Sequence, residues 1–201
     1  DLPDEAIQAE MYHRLAKFIE PYPVKLRTFD FGGDKQTFRE PPQVQGRGIY
    51  RGLYNKNSLQ TQLRAMTRAY QKHENISVLL PLVGSLQEIE AVDSILDEFC
   101  QEKDWSKPPL GIMVEVPSLI FSLERVFPYV DYLSIGTNDL LNYLLGADRF
   151  ASTRADSVNY PDPVLFDFIG QVIEKRGEKE IPVGLCGEIG ANPIFTPVLV
   201  G

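Results

Sequence analysis

The sequence predicts a parallel α/β fold. Short apolar runs rich in branched residues alternate with segments in which apolar residues recur at helical spacing, an alternation typical of βαβ units. Several of the apolar runs end in an acidic side chain, as strands do where a parallel sheet presents its functional groups. Six runs are candidate strands: 24–29, 48–50, 76–83, 111–116, 131–135 and 182–186.

The spacing of these units favours a TIM (β/α)₈ barrel, of which this chain would be a truncated portion. A complete barrel needs eight parallel strands and typically about 250 residues, whereas the chain has 201. We therefore expect one domain over residues 1–201, as a fragment of a longer multidomain protein. The alternative is an open doubly wound sheet, but no G-x-G-x-x-G follows a candidate strand to support nucleotide binding.

Helical spacing predicts two helices in the first part of the chain. The apolar positions of the first helix fall on one face: Ile7, Met11, Leu15, Phe18 and Ile19. Pro21 and Pro23 then end this helix before the first strand. Residues 36–46 contain adjacent prolines and little pattern, which predicts a loop. After the weak strand candidate 48–50, four apolar residues predict the second helix: Leu59, Leu63, Met66 and Tyr70.

In the second part of the chain each strand is followed by a helix start signal. The predicted helices run from Ser85 to about Cys100, over 118–127, from near Asp139, and from Asp162 to Gly177. Ser85 and Glu88 have the spacing of a capping box. Asp162 precedes Pro163, which suits the first turn of a helix, and Gly177 lies just past its end. Residues 101–109 and 150–161 are predicted connectors.

Composition limits the possible partners and compartments. The chain is 43% hydrophobic and carries a net charge of −8, with a pI of about 4.8, which argues against nucleic acid and anionic membrane surfaces. No apolar run approaches the roughly 20 residues needed to span a bilayer. Cys100 and Cys186 lie far apart in the sequence and form neither a disulfide framework nor a zinc motif. We therefore expect a cytoplasmic protein.

Two of the apolar runs lead to carboxylates. Ile112-Met-Val is followed by Glu115, and the run ending at Ile135 is followed by Asn138 and Asp139. Because buried parallel strands end at the same edge of the sheet, these side chains are expected to lie together there. Mg²⁺ favours one or two carboxylates plus substrate oxygens, so the pair is a candidate Mg²⁺ site. The alternative is that Glu115 and Asp139 only cap the helices that follow.

Five segments in a fixed order carry a resemblance to a known family. They are Leu26–Lys35 (LRTFDFGGDK), Gly111–Pro117 (GIMVEVP), Ser134–Leu140 (SIGTNDL), Gly146–Arg149 (GADR) and Leu185–Glu188 (LCGE). Together they resemble the phosphoenolpyruvate-binding C-terminal barrel of phosphoenolpyruvate–protein phosphotransferase. This enzyme is enzyme I of the bacterial sugar phosphotransferase system, and its nitrogen-related paralogue is about equally similar. Pyruvate phosphate dikinase and phosphoenolpyruvate synthase share the barrel but match less closely.

The resemblance implies that the chain binds phosphoenolpyruvate with Mg²⁺ and supports transfer of its phosphoryl group to a histidine on another domain, releasing pyruvate. Glu115 and Asp139 match the metal ligands. The matched substrate-binding residues are Arg27, Arg47, Asn138 and Arg149. An arginine suits this anionic substrate because its planar fork binds phosphate or carboxylate bidentately.

The resemblance also assigns roles at the proton-transfer end of the site. Cys186 matches the family's proton donor, which protonates the methylene carbon of the enolate that remains after phosphoryl transfer. Glu188 and Lys35 match residues that support the substrate-binding groups. The family's phospho-accepting histidine lies in a separate N-terminal domain, and neither His13, expected to face solvent, nor His73, in a polar turn, lies in a comparable motif.

Further implications concern partners, and departures from the family pattern keep alternatives open. The resemblance implies a phosphocarrier protein as partner, a homodimer and a role in sugar transport.

The chain departs from the family pattern at three places. It has Val44-Gln-Gly-Arg47 where the family usually has Leu-Gly-Trp-Arg, Tyr50 where a further arginine is common, and Asn192 where aspartate is frequent. The alternatives are a fragment of a dikinase or synthase, and a non-catalytic module that senses phosphoenolpyruvate or dimerises.

Overall fold

A single parallel sheet organises the described residues, which are 2–30, 46–146 and 162–200 in this computed structural model. Within these ranges the strands are β1 (Val24–Arg27), β2 (Ile76–Leu80), β3 (Leu110–Val114), β4 (Tyr132–Gly136) and β5 (Val183–Cys186). All neighbouring strands are parallel, and their order in the sheet is their order in the chain. Successive βα units of this kind form a curled portion of a barrel, which confirms the predicted fold class.

Helices connect the strands, and two predicted helix starts are confirmed. The described α-helices are α1 (Glu5–Ile19), α2 (Gly48–Tyr54), α3 (Lys56–Tyr70), α4 (Leu86–Lys103), α5 (Leu123–Val126), α6 (Thr137–Leu144), α7 (Pro163–Arg176), α8 (Glu188–Ala191) and α9 (Thr196–Val200). The Glu88 carboxylate accepts hydrogen bonds from the backbone of Gly84 and Ser85, and Asp162 accepts one from the backbone of Val164. Across the described residues, every helix is too short or too polar to span a bilayer.

The two faces of the sheet have different neighbours. Ile112 and Leu133 are completely buried in the main core between the sheet and the helices. Side chains alternate between the faces along a strand, and Leu79, Met113 and Tyr132 form a smaller cluster on the opposite face. We call this opposite face the inner face. A functional side chain on the inner face would therefore lie near this small apolar cluster.

Gly111 is required by the packing of the inner face. A Cβ atom at Gly111 would lie 2.3 Å from two atoms of the Tyr132 ring. The ring is held in place, because its hydroxyl donates to the Val78 carbonyl at 2.8 Å and Lys25 Nζ lies 4.5 Å from its centroid. We expect Gly111→Ala to lower the free energy of unfolding by about 1–3 kcal/mol, the usual cost of overpacking, as measured by urea titration.

Gly170 offers a matched control for this substitution. It lies within α7, and a Cβ atom there would meet nothing within 4 Å. Alanine is favoured over glycine inside a helix by roughly 0.5–1 kcal/mol, so Gly170→Ala should raise the free energy of unfolding. Equal stability of the two variants would contradict the packing explanation.

The prediction of a strand over residues 48–50 is wrong, because α2 begins at Gly48. Gly48 has φ of +58°, and a Cβ atom there would lie 2.5 Å from Leu82 Cβ. The Ile49 backbone donates to the Pro81 carbonyl at 3.1 Å, and Ile49 is fully buried. Three residues are too few to separate a strand from the first turn of a helix by periodicity. Of the predicted loop over 36–46 only Gly46 is described, and it lies in neither a helix nor a strand. The predicted loop over 150–161 lies outside the described residues.

Helix α1 has the predicted apolar face, but much of that face is exposed. Ile7, Met11 and Phe18 are 53%, 58% and 87% exposed. The opposite side, with the small residues Ala9 and Ala16 buried, is the side that packs inward. Small side chains allow a close approach to α3, the helix with which α1 makes most of its contacts. Periodicity therefore located the apolar face of α1 correctly, but the side of the helix that packs inward is the opposite one, which carries Ala9 and Ala16.

The two histidines contact each other, whereas His13 was expected to face solvent. His73 Nε2 lies 2.7 Å from His13 Nδ1, and His73 Nδ1 contacts the Glu20 carboxylate. His73 is 9% exposed. These contacts join His73, which follows α3, to His13 within α1 and to Glu20 just after α1, and they provide partners for the buried ring.

Candidate active site

The carboxyl ends of the strands bring three acidic side chains to one edge of the sheet. Asp30 follows β1 by three residues, Glu115 follows β3 directly, and Asp139 lies in the first turn of α6 just after β4. Because the strands are parallel, these positions lie at the same edge, where barrels carry their active sites. The edge therefore concentrates negative charge.

Glu115 is buried among these charges. It is 2% exposed, and its Oε1 accepts a hydrogen bond from the Leu82 backbone at 2.8 Å. Burial, together with the negative charges of Asp139 and Asp30, raises the pKa of Glu115 to about 7, although the Leu82 hydrogen bond and the charge of Arg27 act in the opposite direction. Glu115 is thus a carboxylate whose ionised form lacks full compensation from its surroundings.

Arg47 joins two of the acidic residues. Its Nη2 donates to Asp30 Oδ2 at 2.7 Å, and its Nη1 donates to Asp139 Oδ1 at 3.0 Å. Burial alone would lower the pKa of Arg47, but the hydrogen bonds and charges of Asp139 and Asp30 raise it above its ordinary value. The guanidinium is therefore always charged. Its two terminal nitrogens bind carboxylates that follow two different strands, β1 and β4.

The start of α6 is joined to the end of β5. Thr137 Oγ1 donates to the Cys186 carbonyl at 3.0 Å, and Asn138 Oδ1 accepts from the Glu188 backbone at 3.1 Å. This bond uses only the carbonyl oxygen of Asn138, and the donor of its side chain is the separate NH₂ group. Gly187, with φ of +109°, permits the approach, since a Cβ atom there would lie 2.3 Å from Thr137 Oγ1.

Cys186 lies on the inner face at the end of β5. It is half-buried and packs against the cluster of Leu79, Met113 and Tyr132. Its thiol donates to the Ile135 carbonyl at 3.4 Å. A thiol in this position faces the interior of the curled sheet rather than a helix.

Of the remaining predicted site residues, two are described and both are exposed. Arg27 is exposed at the end of β1 and pairs in register with Leu79, which places it on the inner face. Glu188 begins α8, and its side chain is exposed. Lys35 and Arg149 lie outside the described residues.

Sequence reasoning gave no role to Asp30. The rule that singled out Glu115 and Asp139, a carboxylate just beyond an apolar strand, applies equally to Asp30 after β1. Its importance becomes visible only in the structure, because its partners Arg47 and Gly48 are separated from it by 17 and 18 positions.

Comparison with known families decides the classification of the chain. The family model described as "PEP-utilising enzyme, PEP-binding domain" matches residues 1–201. The chain belongs to this family. As a PEP-binding domain it is also similar to whole proteins, among them the phosphoenolpyruvate-dependent phosphotransferase system of Salmonella typhimurium, with 31% identity over 99% of this chain and 28% of that protein.

Two other relatives are named phosphoenolpyruvate-protein phosphotransferase. The protein from Haloferax volcanii is 34% identical over 99% of this chain and 38% of its own length. The protein from Mycoplasma genitalium is 33% identical over 100% of this chain and 36% of its own length. The PEP-binding domain described here therefore spans less than two-fifths of the length of these relatives.

Among solved structures, the PEP-binding domain is similar to a citrate lyase from Burkholderia xenovorans. The TM-score is 0.54 with 14% identity, over 88% of this chain and 50% of that chain. At this identity the likeness concerns the fold alone, and it agrees with the barrel-type arrangement of the sheet.

Proposed function

We propose that this chain binds phosphoenolpyruvate together with Mg²⁺ and supports transfer of the phosphoryl group to a histidine on another domain, releasing pyruvate. This is the substrate-binding part of a phosphoenolpyruvate–protein phosphotransferase. One observation carries the proposal: at the carboxyl edge of the sheet Arg47 binds the carboxylates of Asp30 and Asp139, whose charges also act on the buried carboxylate of Glu115. Such an edge suits a ligand set that contains both a divalent cation and an anion.

Glu115 and Asp139 are the residues that would hold the metal ion. The pKa of Glu115 is raised first by burial and then by the negative charges of Asp139 and Asp30. A divalent cation would offset both effects, so the donor set fits a hard cation. Among the described residues no three His, Cys, Asp or Glu side chains form a complete metal site by themselves. Mg²⁺ commonly takes only one or two protein carboxylates and completes its coordination with water and substrate phosphate. The bound ion would supply charge neutralisation for the transferring phosphoryl group.

The anionic substrate would be held by donors from several strand ends. Arg27 and Arg47 provide guanidinium groups at the carboxyl edge, and the family resemblance adds Arg149. The Asn138 amide would donate its NH₂ group to a phosphoryl oxygen in the first turn of α6, where a helix N-terminus favours anions. Fixed donors of this kind position the phosphoryl group and stabilise its developing charge, which is most of what this transfer requires.

After transfer, the enolate of pyruvate would be protonated by Cys186. The breaking P–O bond leaves its electron pair on the enolate, and the methylene carbon then takes the proton of the thiol. The inner-face position and partial burial of Cys186 support this role. Glu188 and Lys35 would support the substrate-binding groups.

The remaining parts of the proposal rest on the family resemblance and on the names of the relatives. The phosphoryl acceptor would be a histidine of a separate domain, with a phosphocarrier protein as the next partner in sugar transport. A homodimer in the cytoplasm is the expected state of the full-length protein.

Calorimetric titration with phosphoenolpyruvate, in Mg²⁺ and again in EDTA, tests the proposal. We expect binding that weakens by about 10-fold or more when the metal is removed, because the ion neutralises charge on both substrate and carboxylates. Lactate, which lacks the phosphate, serves as the control ligand and should bind far more weakly. Affinity that is equal in Mg²⁺ and EDTA would contradict the metal-assisted mechanism, and a complete lack of binding would contradict the proposed function of this chain.

A further inference from the structure

Asp30 uses both of its carboxylate oxygens on neighbouring groups of one segment. Oδ2 accepts from Arg47 Nη2 at 2.7 Å, and Oδ1 accepts from the Gly48 backbone at 2.9 Å. The side chain of Asp30 is only 12% exposed, and that of Arg47 is 26% exposed. One carboxylate therefore binds both the side chain of Arg47 and the main chain directly after it.

The main chain at this point has little freedom to move. Gly48 packs so closely on Pro81 and Leu82 that an added Cβ atom would lie 2.7 Å from the Pro81 carbonyl oxygen. The next residue, Ile49, donates its backbone N–H to the same carbonyl and is fully buried. The main chain at Arg47 is thus held against the residues that follow β2. The guanidinium at the other end of the side chain is bound by Asp30.

Because Arg47 binds two carboxylates, it forms a single hydrogen bond with Asp139. An arginine facing a single carboxylate tends to form a bidentate pair with two parallel hydrogen bonds. Asp30 opposes this by holding Nη2, so that Arg47 reaches Asp139 through Nη1 alone. Of the five N–H groups of a guanidinium, two are used in these bonds, and no bond of the other three to a described residue is seen.

We propose that Asp30 is a positioning residue that directs the Arg47 guanidinium toward the anionic substrate and keeps Arg47 from pairing fully with Asp139. The inference rests on the proposed function, since it specifies how one substrate-binding arginine is held. When Asp30 loses its charge, Arg47 turns toward Asp139, and the site then loses an anion donor and part of a carboxylate that would hold the cation.

A double-mutant cycle on this chain tests the proposal, with Asp30→Asn, Arg47→Met and the combination. Asp30→Asn keeps an oxygen that can accept from Gly48 but removes the charge that holds Arg47. Outer partners of such sites commonly contribute about 10–100-fold to affinity, and we expect a loss in that range for phosphoenolpyruvate with Mg²⁺. In the Arg47→Met background the same change should cost less than about 3-fold, because the cation that Asp30 holds is gone.

Asp131→Asn is the matched control. Asp131 likewise accepts a backbone hydrogen bond, from Leu110 at 2.7 Å, but it precedes β4 and so lies at the opposite edge of the sheet. This variant should bind phosphoenolpyruvate as the unmodified chain does. An equal loss in Asp131→Asn, or additive losses across the cycle, would overturn the proposal.

A second readout separates this inference from the proposed function. In NMR spectra of ¹⁵N-arginine-labelled protein, the guanidinium of Arg47 should rotate slowly in the unmodified chain and faster in Asp30→Asn. Unchanged guanidinium signals in Asp30→Asn would overturn the positioning role, whether or not the ligand binds. If the unmodified chain fails to bind phosphoenolpyruvate, the proposed function falls, while faster rotation in Asp30→Asn would still support the control of Arg47 by Asp30.

Discussion

Glu115→Gln is expected to remove the Mg²⁺-dependent binding of phosphoenolpyruvate and to leave the chain folded. Glutamine keeps a carbonyl oxygen in the place of Oε1, which accepts the Leu82 hydrogen bond, but it lacks the charge that a divalent cation needs. Loss of even an indirect partner of a metal ligand costs about 10–100-fold in affinity. Because Glu115 is proposed as a direct ligand, we expect a loss of about 100-fold or more, as measured by calorimetry in Mg²⁺.

Glu98→Gln is the control for the change in net charge. Glu98 lies on α4 and is exposed, so its replacement should leave the dissociation constant unchanged. Retention of Mg²⁺-dependent binding by Glu115→Gln would show that the metal assignment is wrong. A loss of equal size in Mg²⁺ and in EDTA would instead show that Glu115 contributes through the shape of the site.

The free energy of unfolding of the metal-free chain is expected to fall as the pH rises, by up to about 3 kcal/mol from Glu115 alone. Burial and the charges of Asp139 and Asp30 raise the pKa of Glu115 from 4.5 to about 7. The folded chain therefore binds this proton more tightly than the unfolded chain does. The resulting stabilisation is complete below pH 4.5 and is lost as the pH rises through about 7.

Denaturant titrations at closely spaced pH values, on the unmodified chain and on Glu115→Gln, measure this contribution. Other groups titrate over the same range, so the informative quantity is the difference between the two curves. The difference should change between pH 4.5 and about 7 and then level off. Parallel curves would contradict the raised pKa of Glu115.

The two predictions have one physical origin. A buried carboxylate among other carboxylates is costly to ionise in the free protein, and a bound cation would offset that cost. Glu115→Gln should therefore be more stable than the unmodified chain at pH 8 although it no longer binds the metal. Stability given up at a functional site in this way is common in proteins.

Much of the fold could be predicted from local patterns. All residues of β3 and β4 are buried, and a short, mostly apolar run between helical segments is typical of such strands. The start of α7 depends on contacts within a few residues, namely the Asp162 side chain and the Val164 backbone, so the sequence alone was sufficient to locate it. The carboxyl-edge positions of Glu115 and Asp139 follow from the same strand boundaries.

Other features depend on distant parts of the chain. The residues 48–50 form the start of a helix because Pro81 and Leu82 pack against Gly48. The apolar face of α1 is partly exposed because the small residues on its other side pack inward. Neither outcome is encoded in local periodicity, which gives the face of an element but not its partner.

The sequence by itself predicted most of the alternation of strands and helices and which polar residues lie just beyond the strand ends, since these depend on neighbours within a few positions. The parallel sheet was inferred from that alternation, although its pairing joins distant residues such as Val24 and Ile76. Only the tertiary structure decided that Arg47 is shared between Asp30 and Asp139 and that Glu115 is buried beside them. Hydrogen bonds and pKa shifts depend on distances of a few ångströms between residues that are 17 to 92 positions apart. Those distances arise only when the strands assemble into one sheet.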